Sequence, residues 1–242
     1  MENKKSLLNA DKVYATNNIY INIPTVGQIL EDEETYYNII TSLTAVPYQY
    51  MVQLDDIGID YTVVTEYELF LMLFPNFRET DLSLIFGDLN TSDYKVKYDN
   101  SNSTNILYSE INGYDYKIDE FTYYQIVSMI RKINNLEKFK GKPGNEEAKH
   151  YLLEQERKKQ KRNARKKYEP YLEKLVIALV NTNDFPYDYD SCMDLSIYRF
   201  NQSFKQIQQR ITFDNTMIGI YAGTVDTSKM KDKSCLSWIQ TK

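Results

Sequence analysis

Histidine occurs once, at His150, tryptophan once, at Trp238, and cysteine only at Cys192 and Cys235, in a chain of 242 residues. One histidine leaves no Ser–His pair to build and no imidazole cluster for a metal. Two cysteines make neither a disulfide framework nor a thiolate cage, and a reducing compartment fits them. Neither G-x-x-x-x-G-K-[ST] nor G-x-G-x-x-G occurs, so no phosphate-cradling loop is expected. Asp55, Asp56 and Asp60 lie near a glycine but lack the alternate spacing and closing glutamate of a calcium loop. No run approaches eighteen apolar residues, so no membrane span is expected. The opening MENKKSLLNADKVY has lysines with no apolar stretch behind them and does not read as a signal peptide. These absences lead us to expect no enzymatic activity, no cofactor, no metal site and a cytosolic location.

Tyrosine is abundant, at 22 residues. Asn, Ile and Lys are also plentiful, as an AT-rich coding sequence would give. A second explanation is an adhesive surface, since Tyr offers large contact area at low rotamer cost. The net charge of −5 is unevenly spread. Residues 1–140 carry 11 Lys/Arg and 21 Asp/Glu, residues 141–169 carry 10 and 5, and residues 170–242 carry 8 of each. An acidic front, a basic connector and a neutral rear point to segments with different surroundings.

In chain order, Thr25 and Gln28 form a capping box that opens a helix running to about Leu43. The acids Glu31 to Glu34 lie in its body and read as a solvated face. Pro47 starts a second helix that Gly58 closes. Thr65 and Glu68 form another box, before the all-apolar run Leu69–Phe74, a buried central helix that Pro75 stops. The stretches Leu82–Phe86, Tyr94–Tyr98, Ile106–Tyr108 and Tyr114–Ile118 are short and punctuated by Gly87-Asp88, Asp99-Asn100 and Asn112-Gly113. They read as a small antiparallel insertion over residues 81–118. Asp119 caps a helix to about Leu136, with Phe121, Tyr124, Val127 and Ile130 or Met129 inward. GKPGN at 141–145 breaks the chain. The charged segment after it, ended by Pro170, reads as a solvated helix or a flexible tether. Leu172, Leu175, Val176 and Leu179 mark an amphipathic helix, and residues 181–189 a loop.

The chain is organised around Ser191–Ile211. Ile197, Phe200, Phe204, Ile207 and Ile211 recur at steps of 3, 4, 3 and 4, which is one apolar stripe on a helix with a Gln-rich back. Ser191 and Asp194 are its expected caps. Such a stripe docks on its own core or on a partner. The second candidate surface is the run 157–167, with eight Lys/Arg in eleven positions, including Arg157, Lys158, Lys159, Lys161 and Arg162. It lacks the interleaved aromatics of a nucleic-acid platform and the rest of the chain is acidic, so nucleic acid is not the expected partner. A solvated face, an acidic protein surface or this chain's own front suits it better. The tail after Thr212 reads as extended or partly helical.

Several stretches in order carry a family resemblance: IPTVGQILEDEETYYNIITSLTAVPYQYMVQLDDIGIDY, ELFLMLFP, LIFGDLN, KPGNEEAKHYLLEQERKKQKR, YEPYLEKLVIALVN, DLSIYRFNQSFKQIQ and DNTMIGIYAGTVDTSKM with LSWI. Together they resemble proteins coded in the tail-gene region of siphophages and prophages of Gram-positive bacteria, regarded as tail assembly chaperones. The resemblance implies a non-catalytic protein in the cytoplasm of the infected host. It would hold the tape measure protein soluble, help tail-tube protein assemble around it and leave before the virion is complete. It assigns no site residues. Many tail chaperones exist as short and long forms made by a frameshift, whereas this is one continuous chain. A structural subunit of the tail or neck, and an intracellular effector that binds a host protein or nucleic acid, are the other readings. The expected fold is mainly α (α+β): an acidic helical domain over 1–140, a basic connector over 141–169 and a helical domain with an extended tail over 170–242. Self-association is open to such a layout.

Overall fold

The computed structural model describes residues 6–16, 18–89, 91–101, 103–111 and 113–239. The fold is mainly α, with two small antiparallel sheets among the described residues. It divides into two compact units. One holds Met1–Pro24 and Asp32–Pro170, the other Thr25–Glu31 and Tyr171–Lys242.

The first unit begins with a two-stranded ribbon, β1 (Lys12–Tyr14) and β2 (Tyr20–Asn22). Its helices are α2 (Glu33–Leu43), α3 (Met51–Asp56), α4 (Glu66–Leu73), α5 (Ser83–Phe86), α6 (Glu120–Ile133) and α7 (Glu146–Asn163). A second sheet, β3 (Lys95–Asp99), β4 (Thr104–Ile111) and β5 (Tyr114–Ile118), places β4 in the middle. Three of the four short stretches expected to be strands are strands. The fourth, Leu82–Phe86, contains the helical turn α5. Asp81 Oδ1 accepts from the Ser83 N–H at 2.9 Å, and the Leu82 carbonyl accepts from Ile85 and Phe86. An apolar run this short carries no period to separate helix from strand. Gly87 ends it at φ 59°, where a Cβ would collide with the Tyr20 ring and hydroxyl. Of the expected turn residues, Asn112 lies outside the described residues.

The capping boxes at Thr25/Gln28 and Thr65/Glu68 both form. The helix expected to run unbroken from Thr25 to Leu43 does not. Asp32 leaves the helical conformation and its carboxylate caps the Thr35 N–H at 3.1 Å, so α2 starts afresh. One of the four acids there, Glu33, is buried and accepts the Tyr168 hydroxyl at 2.8 Å; the other three are exposed. Asp119 caps α6 as expected, but the buried face is Tyr123, Ile126, Val127, Ile130 and Ile133. Phe121 is 71% exposed and Tyr124 38%. Val127 and Ile130 are inward as expected, whereas the face of Phe121 and Tyr124 runs on into Ser128 and Arg131, so the continuous apolar stripe takes the interior.

Tyrosine supplies much of this interior. Tyr36, Tyr61, Tyr67, Tyr94 and Tyr123 are buried. Phe70 stacks on Tyr123 at 4.7 Å and meets Phe74 edge-on at 5.7 Å, and Phe74 meets Tyr94 at 6.0 Å. The Tyr67 hydroxyl reaches the Asn105 and Ile118 carbonyls at 3.0 and 2.9 Å, fastening the sheet to α4. A second cluster joins Met51, Val52, Leu54, Tyr61 and Leu69 to Leu153 of α7.

The second unit packs α1 (Val26–Leu30), α8 (Leu172–Val180), α9 (Tyr189–Met193) and α10 (Ile197–Tyr221). α1 comes from far forward in the sequence. The Val26 N–H donates to the Leu195 carbonyl at 2.8 Å. A Cβ on Gly27 would meet Met193 at 3.2 Å, so glycine lets α1 approach α9. Leu172, Val176 and Leu179 of α8 face inward.

Candidate interaction surfaces

The expected rear helix is two helices. Asp188 and Ser191 form a capping box for α9: the Asp188 side chain accepts from the Ser191 N–H at 2.9 Å, and the Ser191 side chain accepts from the Asp188 N–H at 3.0 Å. Ser196 then caps α10, accepting from the Arg199 N–H at 3.3 Å. Ser191 and Asp194 therefore do not open the long helix, because a better-placed serine five residues on takes that role. α10 also runs ten residues past Ile211, to Tyr221. Gly223, at φ 72°, ends it. Its N–H donates to the Ile220 carbonyl at 3.0 Å and the Thr224 N–H to the Gly219 carbonyl at 2.9 Å, a Schellman closure.

The stripe on α10 changes character along its length. Ile197 and Phe200 are fully buried, and Phe200 meets Phe185 edge-on at 6.1 Å. Ile207 is buried and Phe204 half-buried, while Ile211 is 49% exposed. Beyond it the same step pattern continues through Asp214, Ile218 and Tyr221, and the last two are 66% and 83% exposed. The proximal half is thus core and the distal half is uncovered apolar surface. The Gln-rich back is where the tail lies. Gln206 Nε2 donates to the Trp238 carbonyl at 2.6 Å and Gln209 Nε2 to the Ser234 carbonyl at 2.9 Å. The tail is two short 3₁₀ turns, Thr227–Lys229 and Ser234–Leu236, joined by irregular chain.

The basic run lies on α7 and its continuation. Arg157 is not free for a partner: its guanidinium bonds Asp55 at 2.6 Å and Asp56 at 2.7 Å. Those two carboxylates push the Arg157 pKa up. Lys158 lies 3.9 Å from Glu154 and Lys159 3.1 Å from Glu156. Lys161 and Arg162 are exposed. Near the start of α7, Lys149 bonds Asp60 at 2.7 Å. That bond, with those from Thr62, holds the Asp60 carboxyl down at about 2. Leu153 is buried and Leu152 packs beside it, so α7 rests on the first unit along one edge. Arg157 and Lys149 discharge onto that unit's own acids.

The first unit also holds an open cavity of about 720 Å³ between Tyr48, Tyr61, Phe139, Lys138 and Glu66. Lys138 pairs with Glu66 there. No group of His, Cys, Asp or Glu among the described residues is arranged to hold a metal ion. No described helix is long and apolar enough to cross a membrane. Cys192 is fully buried, and burial pushes its thiol up to about 11.

Sequence reasoning found the stripe and the basic run but missed Ile218 and Tyr221. The signal was present in the continued 3–4 spacing past Asp214, which the single polar residue in the seam interrupts.

Residues 158–241 match a family model described as the YomV second domain, which covers less than half of the chain. The matched stretch contains the end of α7, all of α8, α9 and α10, and most of the tail. No curated protein and no solved structure matches the chain.

Proposed function

We propose that this protein is a non-catalytic binding protein of phage tail morphogenesis, a tail assembly chaperone. It would act in the cytoplasm of the infected host, holding the tape measure protein soluble while tail-tube protein assembles around it. One observation carries the reading: the distal half of α10 displays Ile211, Ile218 and Tyr221 in line with a seam that is core further up. A row of exposed apolar side chains on a well-capped helix suits the docking of a partner. A tape measure protein that presents an apolar helical seam of its own would complement it. Support also comes from the match over residues 158–241, which takes in α10 and lies in a phage-associated family, and from the resemblance to tail chaperones along nearly the whole chain.

Co-expression tests it. On this reading the tape measure protein coded beside this chain should be insoluble when made alone, and should stay soluble and co-purify when this chain is present. Mass spectrometry should find this chain in infected cells and not in purified virions. A tape measure protein that remains insoluble would sink the chaperone reading. Stoichiometric recovery of this chain from virions would favour a structural subunit of the tail or neck instead.

A further inference from the structure

We infer that in the free protein the distal half of α10 is covered by a second copy of the same chain, the two helices crossing antiparallel about a two-fold axis beside residue 212. The inference goes beyond the chaperone reading and holds whatever partner later takes the seam.

The seam positions of α10 are 197, 200, 204, 207, 211, 214, 218 and 221, an unbroken alternation of 3 and 4. That is the a/d spacing of a helix paired with another helix. The unit's own interior takes the proximal positions, and Ile211, Ile218 and Tyr221 are left without cover. The described tail, to Ile239, lies elsewhere on the helix: its Trp238 and Ser234 carbonyls accept from Gln206 and Gln209, on the opposite face.

Charge selects the occupant and its direction. Asp214 is the one acid in the seam, and Arg210 flanks it one turn back, 3.8 Å away. In a parallel pair each seam residue meets its own mate, so Asp214 of one copy would lie on Asp214 of the other, which repels. In the antiparallel pair Arg210 of each copy comes level with Asp214 of the other. The contact occurs twice by symmetry, as an isologous interface requires. Ile211 then packs beside the axis, and Ile218 and Tyr221 reach toward the half-buried Phe204 of the mate. The other flank, Gln208 and Asn215, is uncharged and opposes neither arrangement. Exposed ion pairs contribute little energy but fix register and partner choice. The apolar contacts supply the affinity.

Analytical ultracentrifugation of the full chain tests this. Wild type should sediment as a dimer at high micromolar concentration. Arg210→Asp alone and Asp214→Arg alone should each be monomeric, with melting curves close to wild type. An equimolar mixture of the two single variants should recover the dimer. The carboxylate introduced at position 210 of one variant then faces the guanidinium introduced at position 214 of the other. The unchanged Asp214 of the first and Arg210 of the second face each other on the far side of the axis. The ion pair within each helix stays broken in that mixture, so recovery cannot come from helix repair. A monomeric wild type overturns the inference, and so does a mixture that stays monomeric.

Discussion

Cys192 shows how far burial alone governs a reactive group. Its sulfur is inside the second unit, with a pKa raised to about 11, while Cys235 is partly exposed in the tail. Because the folded-state pKa lies above the unfolded value of about 8.5, the buried thiol contributes stability that is fully present below that value. It is lost as pH rises toward about 11. At pH 8, iodoacetamide should therefore modify Cys235 readily and Cys192 only in denaturant, as peptide mass mapping will show. Equal labelling of the two in the folded protein would contradict the burial. Tyrosine teaches a related lesson. Its abundance left surface adhesion and codon bias open, yet five tyrosines build the interior of the first unit. Composition states how many rings there are but not which side of a helix they take.

Among the elements, capping chemistry was the most legible feature. Thr25, Thr65 and Asp119 cap their helices as their sequence contexts indicate, because a side-chain oxygen beside free N–H groups needs no tertiary information. Failures came where two local solutions compete. Ser191 and Ser196 both suit a helix start, and the loop-to-helix path decides between them. Asp32 sits mid-pattern, and its own cap splits a helix whose apolar spacing looked continuous. In α6, Phe121 and Tyr124 begin an apolar face that Ser128 and Arg131 do not continue, so the stripe through Tyr123, Ile126, Val127, Ile130 and Ile133 takes the interior. The stripe on α10 was legible as a stripe, but its division into core and surface was not, since that depends on where α1, α8 and α9 stop. That division makes a sharp expectation for stability. Phe200→Ala, at a fully buried position, should cost about 3–5 kcal/mol in urea unfolding. Ile218→Ala, on the exposed half, should stay within about 0.5 kcal/mol measured at low protein concentration. A comparable loss at both positions would mean that the distal half is packed.

Across the whole chain, the contrast between acidic front and basic connector resolves into contacts inside one unit. Arg157 and Lys149 of α7 meet Asp55, Asp56 and Asp60. Residues 141–170 belong to that unit, and α1 belongs to the other although it lies near the front of the sequence. Neither was readable from composition. A charge run shows that opposite charges exist, not that they meet, and an early helix carries no mark of the late helices it will join. The mainly α class with a small β insertion was readable, because periodicity and turn residues are local signals. With Arg157 and Lys149 spent on acids of their own unit, the distal seam of α10 is the surface proposed for a partner. The decisive measurement is capture of the co-expressed tape measure protein by the chain carrying Ile218→Asp. If the seam is the binding surface, the variant melts close to wild type and its capture falls to background. Undiminished capture by this variant would contradict that role.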